Sequence, residues 1–347
     1  MKRQLDVFLV IAILLVVIFK VIILRSLIPS IFPFYYLYLI TGVLAFWVMS
    51  KIDFTILSLF YKPIYVFSIF FLVATIVIGQ VTRGAIRWIP IGSFTIQPSE
   101  ITRPFTSLFL AHYLFLDELT PSRIIKSFIL VGAPLFLVLI QPSFGIAFLT
   151  GISFLGIYLA SKINKKYFLF ILVSLFIAAP IFWGLLADYQ KLRVTSFLFA
   201  ENDPYGAGYN SIQAAISVGS GMITGRGLGE GVQTQLQFLP EKHTDFIFAS
   251  VAEELGFVGA IFVLGALMFI FWRIIKALEN SESPQGRAFI TGIFLSLFVQ
   301  TFVHIGMNMS LLPITGVPLP LISAGGSSFV STMISLGIVM STRKKNS

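Results

Sequence analysis

The chain has 347 residues, of which 57% are hydrophobic and only 11% are charged, and its mean hydropathy is +0.93. A water-soluble domain carries about twice that charged fraction because its surface must be hydrated, so the composition excludes a soluble protein. It predicts a single all-α polytopic membrane domain over residues 1–347. The absence of cysteine excludes disulfides and thiolate metal sites.

Ten apolar segments, each long enough to cross the hydrocarbon core as a helix, follow one another along the chain. The first begins after Met1-Lys2-Arg3 and has no small-residue cleavage site, so we predict an uncleaved span rather than a signal peptide. The ten centres lie near residues 15, 42, 70, 108, 132, 152, 176, 260, 299 and 331.

The placement of Lys and Arg indicates how these spans are oriented. An even number of spans puts both termini on one side, and with the N-terminus in the cytoplasm 15 of the 24 basic residues fall in short cytoplasmic segments. Nine acidic residues balance the nine basic residues on the outer side, so the whole net charge of +9 lies at the cytoplasmic face. We therefore read the charge as a topology signal, and we predict membrane lipids but no nucleic acid as partners.

Three connections on the predicted outer side are rich in Gly, Pro and hydrogen-bonding residues: 84–100, about 188–244, and 312–328. Irregular backbone at membrane depth is tolerated only where protein or water satisfies its polar groups. We therefore expect a shared outward cavity, with ordinary loop turns as the alternative. The segment 188–244, between the seventh and eighth spans, exceeds the usual length of a connection and is expected to be functional.

A glycine-rich run, 225–231, lies within this long loop. It has neither Walker spacing nor the strand-turn-helix setting that gives a glycine motif its meaning. We predict flexible turns there. Contact of a phosphate with backbone N–H groups beside Arg226 is the alternative.

Asp245 follows the long loop and directly precedes the apolar run 246–249, at the outer mouth of a span. Keeping a charged carboxylate at the end of a membrane span costs free energy unless the carboxylate forms an ion pair or takes part in function. The position of Asp245 therefore favours a functional role. The alternative is a helix cap formed by Thr244 or Asp245. His243 is expected to be an interfacial hydrogen-bonding residue, because no paired-His spacing supports a metal site.

Glu100 and Arg103 are three residues apart at the start of the fourth span, so they share a helical face and can pair. The pair is either a structural salt bridge or a site where the planar guanidinium of Arg103 binds a phosphate. Arg87 and Trp88 are typical of residues that anchor a chain at the membrane interface.

Four long motifs make the sequence recognisable, and on them the chain resembles the SEDS family (shape, elongation, division and sporulation) over nearly its whole length beyond about residue 50. The motifs are GAIRWIPIGSFTIQPSE at 84–100, DPYGAGYNSIQAAISVGSGMITGRGLGEG at 203–231, QTQLQFLPEKHTDFIFASVAEELGFVG at 233–259 and HIGMNMSLLPITGVPLPLISAGGSS at 304–328. The sequence at 240–243 favours the rod-shape branch of the family over the division branch.

The resemblance implies a peptidoglycan glycosyltransferase in the bacterial cytoplasmic (inner) membrane. It implies polymerisation of lipid II and undecaprenyl-linked glycan on the outer face, for cell elongation, with a class B penicillin-binding protein as partner. No cofactor is assigned, and a divalent cation (Mg²⁺ or Mn²⁺) is the one candidate. A lipid II flippase, a non-catalytic scaffold and the division paralogue are the alternative functions.

By the same resemblance the catalytic aspartate is Asp245, which we expect to act as general base on the acceptor hydroxyl. Cationic side chains are expected near the donor pyrophosphate, where negative charge develops, with Arg103 foremost. The full set of expected substrate-binding residues is Arg87, Trp88, Glu100, Arg103, Lys191, Arg193, Asn210, Gln213, Gln235, His243, Thr244, Ser327 and Ser328.

Several positions depart from the family pattern. Ser143 replaces the Asp of a QPD motif, and His304 replaces the Asn of an NIGM motif. Ser310 stands where Gly is usual, and Arg103 stands where Lys is usual. These departures concern secondary parts of the site, whereas the surroundings of Asp245 match the family throughout.

Overall fold

The computed structural model describes residues 6–82, 85–92, 94–164, 166, 184, 191 and 208–343. A short antiparallel sheet contains β1 (Gln80–Thr82), β2 (Ala85–Ile91) and β3 (Phe94–Ile96), and a 3-10 turn covers Pro29–Ile31. The helices are α1 (Val7–Leu27), α2 (Phe34–Lys51), α3 (Phe54–Leu59), α4 (Tyr61–Ile78), α5 (Pro98–Tyr113), α6 (Pro121–Ile140), α7 (Phe144–Ala160), α8 (Tyr209–Ser220), α9 (Val232–Gln235), α10 (Ile247–Glu279), α11 (Pro284–Asn308) and α12 (Gly326–Ser341).

Six of the described helices are long and apolar enough to cross a membrane: α1, α2, α4, α6, α10 and α11. The shorter apolar helices α7 and α12 and the more polar α5 contain three further predicted centres. The centre near residue 176 and the first part of the predicted long loop lie outside the described residues. The chain is a mostly helical, multi-span membrane protein, as its composition predicts.

The three-stranded sheet was not expected from the sequence. Its strands follow the order β1-β2-β3, with Gln80 opposite Trp88 and Ile89 opposite Ile96. The strands are only three, seven and three residues long, so they show little of the alternation that marks a strand in sequence. The hydroxyl of Tyr38 in α2 accepts the N–H of Thr95 at 2.9 Å and donates to its carbonyl at 2.7 Å. The sheet is thereby held against α2.

Residues 1–161, 262–301 and 317–347 form one compact unit. In it α12 packs on α2 and α5, and α5 also packs on α4 and α7. A Cβ at Gly42 of α2 would lie 2.4 Å from the ring of Phe329 in α12, so only glycine permits this approach. Helix α5 is buried along most of its length. Its polar residues are therefore held inside the protein and away from lipid.

Two charged residues of α1 and its cap are buried in this unit. The carboxylate of Asp6 accepts the N–H of Leu9, pairs with Arg273, and lies 3.2 Å from Arg343. The ammonium of Lys20 is fully buried, 4.2 Å from the ring centroid of Phe329 and 5.3 Å from that of Tyr35. Asp6 thus connects the start of α1 to Arg273 of α10 and to Arg343, just after α12, and Lys20 packs the C-terminal half of α1 against aromatic rings.

Residues 162–261 and 302–316 form the second unit. Helix α10 is broken there at Gly256, whose φ of 64° and ψ of −158° are not helical. The N–H groups of Phe257 and Val258 donate to the carbonyls of Met222 and Ile223 at 2.9 and 3.2 Å. The loop before α9 therefore satisfies backbone groups that the break frees.

Candidate active site

Asp245 lies in a tight turn two residues before α10. The N–H groups of Thr244, Asp245 and Phe246 all donate to the carbonyl of Glu241, at 3.0, 3.1 and 3.2 Å. Glu241 has a φ of 53°, which bends the chain into this turn. The hydroxyl of Thr244 donates to the Glu241 carboxylate at 2.9 Å and closes the turn from the side-chain side.

Asp245 is half-buried, while the next two residues, Phe246 and Ile247, are 2% and 0% exposed. Phe246 packs in a small core with Ala214, Leu239 and Ala249. The carbonyl of Asp245 accepts a hydrogen bond from the Asn308 amide at 3.0 Å. The backbone of the half-buried Asp245 is thus held on both sides, directly before residues that are anchored in the core.

A buried carboxylate further along α10 organises the loop that leads to Asp245. The two oxygens of Glu253, which is fully buried, accept the N–H groups of Gln233 and Thr234 at 2.8 and 3.0 Å. The amide of Gln235 donates to the neighbouring Glu254 at 3.0 Å. Because burying a carboxylate is costly unless it is hydrogen-bonded, Glu253 fixes the short helix α9 against α10.

Lys242 connects this arrangement to the Asp245 turn. Its ammonium donates to the carbonyl of Thr234 at 2.5 Å, and its own carbonyl accepts the hydroxyl of Ser250 at 2.9 Å. Burial lowers the pKa of the Lys242 ammonium below its usual value, and the nearby carboxylates of Glu254 and Glu253 oppose that shift. Lys242 is therefore a structural link between α9 and α10.

The first compact unit holds a second polar cluster, at the starts of α5 and α12. Arg103 lies 3.4 Å from the Glu100 carboxylate and 3.3 Å from the Gln300 side-chain oxygen, and both charged residues are 2% exposed. The predicted pairing of Glu100 with Arg103 is confirmed. Gln300 in turn donates to the carbonyl of Pro318 at 2.8 Å. A guanidinium held in this way keeps its planar fork in a fixed orientation.

Both predicted serines of α12 adjoin this cluster. The hydroxyl of Ser327 accepts the N–H of Gln97 at 2.9 Å, while the carbonyl of Ser328 accepts the hydroxyl of Thr332. One turn further on, Ser331 donates to the carbonyl of Glu100 at 2.7 Å. Within this unit the structure thus brings together α5 and α12 through the residues that the sequence singled out.

The other predicted substrate-binding residues are more dispersed. Arg87 and Trp88 are half-buried in β2, and Asn210 and Gln213 are half-buried in α8. His243 is half-buried in the Asp245 turn, and Lys191 is half-buried in a stretch of which little else is described. Arg193 lies outside the described residues.

One alternative raised by the sequence, a phosphate bound at the glycine-rich run, is not supported by the structure. The N–H groups of Arg226 and Gly227 donate to the carbonyls of Glu253 and Glu254 at 3.0 Å each, so they are not available to a phosphate. The N–H of Ala249 in the first turn of α10 donates to the side-chain oxygen of Asn308 at 2.9 Å, while a cap by Thr244 or Asp245 stays a prediction.

Within the described residues no three His, Asp or Glu side chains lie close enough together to hold a metal ion. The divalent cation therefore stays a prediction.

The sequence reasoning missed Asn308, Gln300 and Glu241, although each contacts a residue that it had singled out. Gln300 and Asn308 are polar residues within an otherwise apolar helix, a pattern that by itself indicates function. Glu241 gives no such signal, because it is one acid among many in a polar loop.

The fold and these residues define a multi-span helical membrane protein with an aspartate whose backbone is fixed just before a long helix. The sequence model described as cell cycle protein FtsW, RodA and SpoVE matches residues 2–347. The chain belongs to this family.

Named relatives agree with this membership. The peptidoglycan glycosyltransferase MrdB of Escherichia coli (strain K12) is 41% identical over 285 residues, which are 80% of this chain and 76% of the relative. FtsW of Coxiella burnetii, named a probable peptidoglycan glycosyltransferase, is 33% identical over 323 residues, which are 89% of this chain and 86% of the relative.

Solved structures share the fold. A chain of a peptidoglycan synthase complex, solved to explain the coordination of polymerization and crosslinking, is 27% identical with a TM-score of 0.83, over 98% of this chain and 97% of that one. The rod-shape-determining protein RodA of Thermus thermophilus is 23% identical with a TM-score of 0.72, over 97% of both chains. The prediction from the sequence motifs is confirmed at the level of family and fold.

Proposed function

We propose that this chain is a peptidoglycan glycosyltransferase that polymerises lipid II into glycan strands for cell elongation, with Asp245 as the general base. The observation that carries the proposal is the fixed backbone of the half-buried Asp245, held at Glu241 and at Asn308 and followed directly by the core residue Phe246. The names of the MrdB and FtsW relatives support the reaction. The higher identity to MrdB favours elongation over division.

In the proposed reaction Asp245 takes the proton from the acceptor sugar hydroxyl as its oxygen attacks the anomeric carbon of the donor. The new glycosidic C–O bond forms while the bond to the lipid-linked pyrophosphate breaks, with inversion at that carbon. A base placed within hydrogen-bond reach typically contributes about 10²–10⁴-fold. The fixed turn suits this role because it holds the carboxylate in place before the substrate arrives.

The pyrophosphate leaves with both electrons of the broken bond, so it requires cationic stabilisation rather than a second carboxylate. We propose Arg103 for this task. Its guanidinium is held by Glu100 and Gln300 through some of its five donors, and the remaining N–H groups can bind phosphate oxygens. The further substrate-binding residues and the divalent cation remain predictions.

The setting of the reaction is part of the proposal. We place both termini in the cytoplasm and the Asp245 turn on the outer face of the bacterial inner membrane, since the basic residues are concentrated on the terminal side. We further propose a class B penicillin-binding protein as partner. The peptidoglycan synthase complex that contains a chain of the same fold supports this pairing.

Polymerisation of lipid II by the purified protein, with and without the partner, tests the proposal. Asp245→Asn is nearly isosteric and should abolish glycan strands while the melting temperature stays that of the wild type. Glu230→Gln makes the same acid-to-amide change at an exposed residue and should leave polymerisation intact. Undiminished strands from Asp245→Asn would refute the role of Asp245. Lipid II movement across vesicles without any polymer would favour the flippase.

A further inference from the structure

Asn308, the last residue of α11, is fully buried and uses its side-chain amide at three places. Its oxygen accepts the N–H of Ala249 at 2.9 Å. Its nitrogen donates to the carbonyl of Asp245 at 3.0 Å and to that of His304 at 2.7 Å. Both amide hydrogens and one acceptor position are thus in use.

This arrangement requires a donor and an acceptor on one short side chain. Ala249 is the third residue of α10, so its N–H is one of the four that a helix start leaves without an intrahelical partner. The carbonyl of Asp245, just before the helix, needs a donor at the same time. Only an amide offers both groups in one plane, and Asn308 supplies them from a different helix.

The contact to Asp245 acts together with the Glu241 turn. The Asp245 N–H is bound to the Glu241 carbonyl and the Asp245 carbonyl to the Asn308 amide, so the two peptide planes that flank its Cα are both fixed. The orientation of a side chain follows from that of its backbone. Control of the two planes is therefore control of where the Asp245 carboxylate points.

We infer that Asn308 is a positioning residue for glycosyl transfer, which sets the direction of the Asp245 carboxylate and caps α10 with the other end of the same amide. The inference rests on the proposed role of Asp245 as base. Asn308 itself is fully buried, and its amide groups are occupied by backbone partners. Its removal should therefore slow the chemical step without weakening the binding of lipid II.

Two substitutions separate the two halves of the amide. Asn308→Asp keeps an acceptor for the Ala249 N–H, and a carboxylate is favourable at a helix start, but it loses the donors to the carbonyls of Asp245 and His304. Asn308→Leu loses both. Gln141→Met is the matched control, because the amide of Gln141 is 1% exposed and donates to the carbonyl of Leu72 at 2.9 Å, in a contact that does not involve the Asp245 turn.

The measurements are kcat and KM for lipid II polymerisation, lipid II binding, and the melting temperature in one detergent. Since a displacement of about 1 Å can cost about 10²-fold in rate, both Asn308 variants should lose kcat on that order with KM and binding nearly unchanged. Asn308→Asp should melt below the wild type but above the assay temperature, because its buried carboxylate faces the carbonyls of Asp245 and His304. Gln141→Met should keep its kcat.

Three results would overturn the inference, and they are distinguishable. Wild-type kcat in Asn308→Asp, with Asp245→Asn inactive, removes the positioning role and leaves the proposed function in place. An equal loss of kcat in Gln141→Met means that Asn308 has a structural role only. A collapse of the melting temperature of Asn308→Asp means the same. Polymer from Asp245→Asn means that the proposed function fails, and the inference with it.

Discussion

The carboxylate of Glu253 accepts a hydrogen bond from the backbone N–H of Thr234 at 3.0 Å, and both residues are fully buried. The same carboxylate binds the N–H of Gln233 with its other oxygen. A carboxylate is the one side chain that can accept at two adjacent oxygens. The pairing thus explains why an acid is present in an otherwise apolar part of α10.

Glu253→Gln is expected to lower the stability of the protein. The NH₂ of glutamine would face one of the two N–H donors, and leaving a buried donor unsatisfied costs about 1–3 kcal/mol. Thermal unfolding in detergent measures this, with the exposed Glu230→Gln as the control. A melting temperature equal to that of the control would show that the Glu253 contacts contribute nothing.

Arg103→Lys and Arg103→Met are expected to differ. Lysine keeps the charge but not the fork that spans Glu100 and Gln300, so the rate should fall only in part. Methionine leaves the Glu100 carboxylate buried without its ion pair. Breaking a buried ion pair in this way lowers the free energy of unfolding by about 3–5 kcal/mol.

The double variant Glu100→Gln with Arg103→Met tests the cause of that loss. It should recover most of the stability and none of the polymerisation, because the buried charge is gone but the cation is still absent. Melting temperatures and a lipid II assay give the two readouts. Recovery of polymer in the double variant would show that Arg103 serves only to neutralise Glu100.

Lys20→Met is expected to stabilise the protein. Within the described part of the chain the Lys20 ammonium has no hydrogen-bond acceptor. Its contacts with the rings of Phe329 and Tyr35 stabilise it by about 2 kcal/mol. This is less than the several kcal/mol that the desolvation of the charge costs. Lys20→Ala should instead destabilise, because it leaves a cavity of several methylene groups. A methionine variant that melts below the wild type would mean that the aromatic contacts outweigh the desolvation.

Two substitutions of Ser310 are expected to differ in thermal stability. Its φ of 56° is strained for any residue but glycine, which accounts for the glycine usual at this position in the family. Its hydroxyl donates to the carbonyl of Ser211 at 2.8 Å. Ser310→Ala keeps the strain and loses a bond of about 1 kcal/mol, whereas Ser310→Gly relieves the strain. The glycine variant should melt above the alanine variant, and the reverse order would contradict this account.

The features that could be predicted from the sequence are those that depend on the type and spacing of side chains along the chain. Apolar runs located the described spans, and the spacing of Glu100 and Arg103 predicted their pairing, because hydropathy and helical periodicity are properties of local sequence. Asn308 was missed because its partners are backbone groups, and every residue carries those. The break at Gly256 was missed because a single glycine in an apolar run is compatible with a continuous helix.

The break in α10 has a consequence for the tolerance of the loop that meets it. Met222 and Ile223 are 80% and 69% exposed, so their side chains make few contacts that constrain their type. Their carbonyls nevertheless receive the N–H groups that the break at Gly256 frees, and such groups in a membrane cost several kcal/mol when unmet. The loop therefore tolerates exchange of the exposed side chains of Met222 and Ile223, but it requires a fixed number of residues. Deleting one residue between 221 and 227 should damage the protein more than any exchange of the exposed side chains there.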